Sequence, residues 1–167
     1  MTDLSNLKIF YHKIVAENPS SWFSKAEKSE YVANILLERY NNPKTRQDEH
    51  LHSFILMFLG FAMENYFKGC LIDKKTVIPI KNDNLNTNLK SHNLLNLYKK
   101  LFSQNTDIKT EELLKALEWA IMNAKYPVGL YGKEHGAGHT YLLDEKIKLS
   151  KEIFEKIKKE SNFYKNN

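Results

Sequence analysis

The chain has 167 residues, of which 42% are hydrophobic and 12% aromatic, and this is enough to build the core of one domain. Lysine and arginine number 25 against 20 acidic residues, so the formal net charge is +5, which permits binding to a polyanion without requiring it. The single cysteine, Cys70, excludes an intramolecular disulfide and therefore the disulfide-rich secreted class of protein.

Hydrophobic spacing predicts helices and no convincing strand. Apolar residues recur at helical intervals over residues 4–15, which predicts a helical extension over residues 1–18. The next helix is predicted to begin at Ser20 or Ser21, because either hydroxyl can accept a backbone N–H as an N-cap. This helix is predicted to end at residues 41–43, where two asparagines precede a proline.

A central helix is predicted from about residue 48 to residue 72, with apolar residues covering more than half of its circumference. Glu64 and Lys68 lie four residues apart and therefore face the same way. One interpretation is an intrahelical ion pair that belongs to the bundle. The other is that Glu64 reaches out to orient a lysine or a histidine of a later loop.

The second half of the chain continues the helical pattern. Residues 73–90 are rich in turn-forming residues and predict a long exposed loop. Helices are then predicted over residues 91–102, from Thr110 as N-cap to Pro127, and from Asp144 onwards. We therefore expect one all-α domain over the whole chain, an up-and-down bundle of five to six helices.

Residues 125–143 form a predicted loop that holds four of the six glycines of the chain. Glycines allow close approach of a ligand or a partner backbone. The polar side chains among them are Tyr131, Lys133, His135 and His139. The loop is therefore either a functional segment or a surface connection whose polar residues meet water.

The spacing of the histidines does not indicate a metal site. His135 and His139 have the spacing of two zinc ligands on one helix, but the glycines between them interrupt a helix, so we expect neither a metal nor a cofactor. Arg46 and His52 are interpreted as a chance pairing. His92 follows Ser91 at an expected helix start and is predicted to have a structural role.

Four segments in order give the chain a resemblance to a known family. These are residues 59–68, with a small residue, Glu64 and Lys68; residues 91–97, with His92; residues 119–120; and residues 125–127. Together they resemble the HEPN superfamily, and the likeness spans about residues 20 to 160. The resemblance implies a small helical bundle that forms a homodimer and belongs to prokaryotic toxin–antitoxin or phage-defence systems.

The same resemblance implies a metal-independent ribonuclease, with two departures. Active HEPN proteins use an arginine followed after four to six residues by a histidine. Here the matching position is Lys125, and the next histidine, His135, lies ten residues further on. A lysine can stabilise the negative charge of a phosphorane, but it cannot form the bidentate hydrogen bonds to two phosphate oxygens that arginine forms.

Two functional hypotheses follow. In the first, the protein binds or cleaves RNA, with Lys125, His135, His139 and Glu64 as candidate catalytic residues. Candidate residues for contact with RNA or a partner are Lys68, Tyr126, Tyr131 and Lys133. In the second, the chain is a non-catalytic interaction module for another copy or for a partner such as a nucleotidyltransferase-type antitoxin. Under both hypotheses we expect a cytoplasmic protein without a membrane partner, because no unbroken apolar run approaches the roughly 20 residues that span a bilayer.

Overall fold

The computed structural model describes residues 13–81, 84–103, 106–123 and 143–165. Within these ranges the predicted all-α helical bundle is confirmed. The helices are α1 (Pro19–Asn41), α2 (His52–Asp73), α3 (Thr87–Lys90), α4 (Leu94–Phe102), α5 (Ile108–Asn123), α6 (Leu143–Glu160) and α7 (Asn162–Lys165). Residues 13–17 are also helical, and a 3₁₀ turn, Asp48–His50, precedes α2. Two two-residue strands, β1 (Ile80–Lys81) and β2 (Asn84–Leu85), pair antiparallel.

Helix α2 is the centre of the bundle and packs against α1, α4, α5 and α6. In the described part of the chain, it is the one helix that is long and apolar enough to cross a membrane by length and composition. Most of α2 is buried within the bundle, since 83% of its most apolar stretch of 18 residues is buried. A core helix of a soluble protein has these same properties, so the absence of a membrane partner stays a prediction.

Two glycines let neighbouring helices approach α2 closely. A Cβ atom added at Gly69 would lie 2.9 Å from the ring of Phe23 on α1. At Gly60, an added Cβ would lie 2.9 Å from the carbonyl oxygen of Leu117 and 2.8 Å from Cγ1 of Ile121, both on α5. Because real Cβ atoms do not approach other atoms so closely, both positions require glycine for this packing.

The end of α2 is tied to the end of α6. The Asp73 carboxylate accepts hydrogen bonds from the Ser161 hydroxyl at 3.1 Å and from the Asn162 backbone N–H at 2.7 Å. Lys74 pairs with Glu160 at 2.7 Å. Helix α6 carries Ile147, Ser150, Phe154 and Ile157 at helical spacing, and all four are buried.

The predicted helix caps are wrong by a few residues. The side chain of Asn18 caps α1 by accepting from the Ser20 N–H at 3.0 Å, so neither Ser20 nor Ser21 is the cap. The Asp107 carboxylate accepts from the Thr110 N–H at 2.9 Å and from its hydroxyl at 2.7 Å, so Thr110 lies inside α5. Asn and Asp are N-caps at least as favourable as Ser and Thr, and here they stand at the turns where the backbone N–H groups need acceptors.

The predicted exposed loop over residues 73–90 is also only partly correct. It contains the β1–β2 pair and the short helix α3, and Val77 and Leu89 are buried in the hydrophobic core. Apolar side chains in a connection between core helices gain free energy when they cover the core, whatever the turn propensity of their neighbours. Helix α4 then begins at Leu94, three residues after the predicted start, and Asn93 is its N-cap.

Candidate functional site

Glu64 and Lys68 lie one turn apart on α2 and form an ion pair inside the bundle. The Lys68 ammonium donates to Glu64 Oε1 at 2.6 Å, and the two side chains are only 8% and 3% exposed, Glu64 first. The same ammonium lies 5.6 Å from the centroid of the Trp22 ring, a cation–π distance. The predicted same-side placement is therefore present, but it lies in the core, so the Lys68 side chain is not exposed for contact with RNA or a partner.

The second oxygen of the Glu64 carboxylate binds a histidine. His92 lies in the segment between α3 and α4, and its Nδ1 is 2.7 Å from Glu64 Oε2. The histidine side chain is 49% exposed. Glu64 thus orients a histidine, as one of the two sequence interpretations proposed, but this histidine is His92 and not a residue of the glycine-rich loop.

The charges of Lys68 and Glu64 determine which group donates the hydrogen bond between Glu64 and His92. Lys68 supplies a positive charge to Glu64, and an ionised carboxylate can only accept hydrogen bonds. Nδ1 of His92 therefore carries the proton, and the Nδ1–H group donates a hydrogen bond to Glu64 Oε2. In the neutral ring this leaves the lone pair on Nε2, the nitrogen that Glu64 does not engage. A carboxylate that fixes the tautomer and orientation of an imidazole prepares it for proton transfer.

A second carboxylate, Glu118 on α5, lies near His92. Burial raises the pKa of Glu118, and the Leu94 N–H and the charge of His92 oppose that rise only in part. The carboxylate is thus partly withdrawn from water at the start of α4. A positive or hydrogen-bond-donating ligand at this position would replace the lost hydration.

Glu118 belongs to an open groove between the start of α4 and the outer face of α5, which we name the α4–α5 groove. Its volume is about 370 Å³, and Asn93, Lys115, Trp119 and Met122 also line it. Trp119 and Met122 are 37% and 41% exposed. The groove thus combines an apolar surface with a carboxylate, beside the residue that follows His92 in the chain.

The other residues singled out from the sequence do not join this site. Arg46 and His50 are exposed in the connection before α2, and His52 begins α2, roughly 18 Å from Glu64 at 1.5 Å per residue. The candidates of the glycine-rich loop lie outside the described residues. These are Lys125, Tyr126, Tyr131, Lys133, His135 and His139.

The donor atoms of the site do not form a metal centre. Across residues 13–81, 84–103, 106–123 and 143–165, no group of three or more His, Cys, Asp or Glu side chains is arranged to hold a metal ion. Burial raises the pKa of the Cys70 thiol to about 11, so this thiol is a poor nucleophile and a poor metal ligand near neutral pH. Proton transfer through His92 is the chemistry that the described site offers.

Comparisons with profiles of known protein families, with curated proteins and with solved structures found no match to this chain. The resemblance to the HEPN superfamily therefore rests on the sequence segments alone.

Proposed function

We propose that the chain is an HEPN-like protein of prokaryotic defence or toxin–antitoxin systems that binds and cleaves RNA without a metal, as a homodimer in the cytoplasm. The observation that carries the proposal is the hydrogen bond between buried Glu64 and half-exposed His92. An imidazole with one nitrogen fixed and the other able to take a proton is a general base suited to neutral pH.

The spatial arrangement of the resemblance segments supports the proposal. Residues 59–68 supply Glu64 and Lys68, and residues 91–97 supply His92 and line the α4–α5 groove through Asn93. Residues 119–120 supply the groove tryptophan. The first two segments thus meet at Glu64, and Trp119 of the third segment lines the same groove as Asn93, as expected if their order in the sequence reflects a common site.

The proposed reaction is attack of an RNA 2′-hydroxyl on its own 3′-phosphate. Nε2 of His92 takes the 2′-hydroxyl proton, the 2′-oxygen forms a bond to phosphorus, and the bond from phosphorus to the 5′-oxygen breaks. The products are a 2′,3′-cyclic phosphate and a 5′-hydroxyl, whose oxygen takes a proton from water. Lys125 and Lys133 are the proposed cations for the phosphorane, because Lys68 is engaged with Glu64 in the core.

The test is cleavage of labelled transfer and messenger RNA in EDTA by the wild type and by matched histidine variants. We expect His92→Asn to lose about 100-fold or more of the rate, as removal of a general base does. The control is His50→Asn, which removes an exposed histidine far from the site and should retain the wild-type rate. A His135→Ala/His139→Ala double variant measures the contribution of the loop separately.

Glu64 acts through His92 and is therefore a positioning residue. Glu64→Gln leaves a single side-chain oxygen, which remains the acceptor for the Lys68 ammonium, so the amide N–H₂ faces Nδ1 and favours the opposite tautomer of His92. We expect the rate to fall in this variant and the imidazole ¹⁵N signals of His92 to report that tautomer, which a general loss of folding would not produce. Absence of cleavage by the wild type, or full activity of His92→Asn, would contradict the catalytic proposal.

Exposed apolar side chains favour the second hypothesis, a non-catalytic interaction module. Phe54 on α2 and Trp119 and Met122 on α5 are 42%, 37% and 41% exposed, and large apolar side chains of this kind are typical of interface centres. Light scattering of the chain alone, and mixed with a nucleotidyltransferase-type partner, tests this module. A stable complex without RNA cleavage would favour the module over the enzyme.

A further inference from the structure

We infer that the α4–α5 groove binds a guanine base, so that the proposed ribonuclease acts on the phosphate at the 3′ side of guanosine. This inference rests on the proposed function and adds the class of substrate to it. The features that carry it are the carboxylate of Glu118, the exposed ring of Trp119 and the position of both beside His92.

The size and apolar surface of the groove suit one nucleotide. Its volume of about 370 Å³ falls in the range of roughly 300–1,000 Å³ that small-molecule sites occupy. Trp119 presents an exposed indole, and stacking of a base on an aromatic ring stabilises single-stranded RNA complexes by about 1–3 kcal/mol per base. Met122 and Leu95 supply further apolar surface.

Glu118 determines which base fits. An ionised carboxylate offers two acceptor oxygens and no donor. Guanine presents two adjacent donors on its Watson–Crick edge, N1–H and the N2 amine, and these match the two oxygens. Adenine and cytosine carry a ring-nitrogen acceptor beside their amine, and uracil has a single N–H donor between two carbonyl oxygens. Each of these bases would therefore place a hydrogen-bond acceptor next to a carboxylate oxygen, which is also an acceptor.

The Glu118 carboxylate accepts a hydrogen bond from the Leu94 N–H and keeps further lone pairs for a ligand, because each of its oxygens can accept more than one hydrogen bond. Lys115, the lysine that lines the groove, pairs with Glu111 at 2.7 Å. Burial already disfavours the charged form of Glu118, so donors from a base recover hydration that the fold has removed.

The neighbouring His92 connects base recognition to the reaction. Asn93 lines the groove and follows His92 directly, and the charge of His92 acts on Glu118. In this inference, a nucleotide with its base on Trp119 places its ribose on the side of the groove where Asn93 joins His92. The 2′-hydroxyl that loses its proton belongs to the nucleotide that the groove selects.

The experiment measures binding of guanosine 3′-monophosphate by tryptophan fluorescence. The chain has two tryptophans, so a Trp22→Phe background leaves Trp119 as the reporter. We expect quenching by guanosine 3′-monophosphate and about ten-fold weaker binding of the adenosine, cytidine and uridine 3′-monophosphates, a difference of about 1.4 kcal/mol. Glu118→Gln in this background should abolish the preference for guanine. Glu112→Gln, the same change at an exposed carboxylate of α5 outside the groove lining, should keep it; circular dichroism checks that both variants fold.

Binding and cleavage distinguish this inference from the proposed function. Equal affinity for the four nucleotides, no quenching by any of them, or a guanine preference that survives Glu118→Gln would overturn the guanine site even if the protein cleaves RNA. Quenching by N-acetyl-arginine amide without quenching by guanosine 3′-monophosphate would also overturn it, in favour of a basic peptide. Guanine-selective binding without cleavage would uphold the groove while contradicting the catalytic proposal.

Discussion

Replacement of Lys68 by methionine is expected to cost the protein a large part of its stability. The change removes the ammonium 2.6 Å from Glu64 and keeps a side chain of similar length against Trp22. Because the Glu64 side chain is only 8% exposed, its carboxylate remains buried with one of its two partners gone. Breaking a buried pair in this way costs about 3–5 kcal/mol, against a typical total of about 5–15 kcal/mol for a domain.

Urea unfolding followed by far-ultraviolet circular dichroism measures this loss as a fall in the free energy of unfolding with an unchanged m-value. The matched control is Lys115→Met, which breaks a lysine–glutamate pair of the same spacing, with Glu111, whose side chains are 62% and 36% exposed, lysine first. Exposed pairs contribute little, so this variant should unfold close to the wild type. Equal unfolding midpoints for Lys68→Met and Lys115→Met would refute the reasoning that the core pair holds an otherwise uncompensated charge.

Three further predictions concern positions around the core. Gly60→Ala should lower the free energy of unfolding by about 1–2 kcal/mol in urea melts, because the methyl group overpacks against Leu117 while the helix gains in propensity. Ser150→Ala should raise the thermal midpoint, since the buried Ser150 hydroxyl has no hydrogen-bond partner among the described residues, and removing such a group is worth about 1 kcal/mol. Glu118→Gln should change the pH dependence of stability. The raised pKa means that the native state favours the protonated acid, so the wild type loses stability relative to the variant as pH rises above 4.5, and urea melts at pH 4.5 and 7.5 measure this difference.

Hydrophobic periodicity predicted those helices in which the buried residues lie on one face. The stripe of Ile147, Phe154 and Ile157 on α6 is buried as its spacing indicates. In the helix predicted over residues 48–72, apolar residues cover more than half of the circumference, which indicates packing on several sides, and α2 does contact four other helices. These inferences succeed because helical spacing relates residues that are close in the chain.

The site could be predicted only in part, because its contacts join residues that are far apart in the chain. The pairing of Glu64 with Lys68 follows from a spacing of four residues. The bond from Glu64 to His92 crosses 28 residues and depends on how the segment before α4 packs against α2. The turn-forming residues over 73–90 predicted an exposed loop, and packing of the following segment against α2 was not predicted. The proximity of Glu118 to His92 also depends on tertiary packing, and the sequence around Glu118 shows only a charged residue next to a tryptophan.

The buried lysine has a role that stability alone does not explain. A lysine–glutamate pair in a core is often no more stabilising than two apolar side chains of the same size. Two apolar residues at positions 64 and 68 would fill the same space, but they would leave Nδ1 of His92 without an acceptor. With Lys68 as its counter-charge, Glu64 is an ionised acceptor even when His92 carries no charge. The lysine thus lets the carboxylate orient a neutral imidazole, and a neutral imidazole is the form that can accept a proton from a substrate.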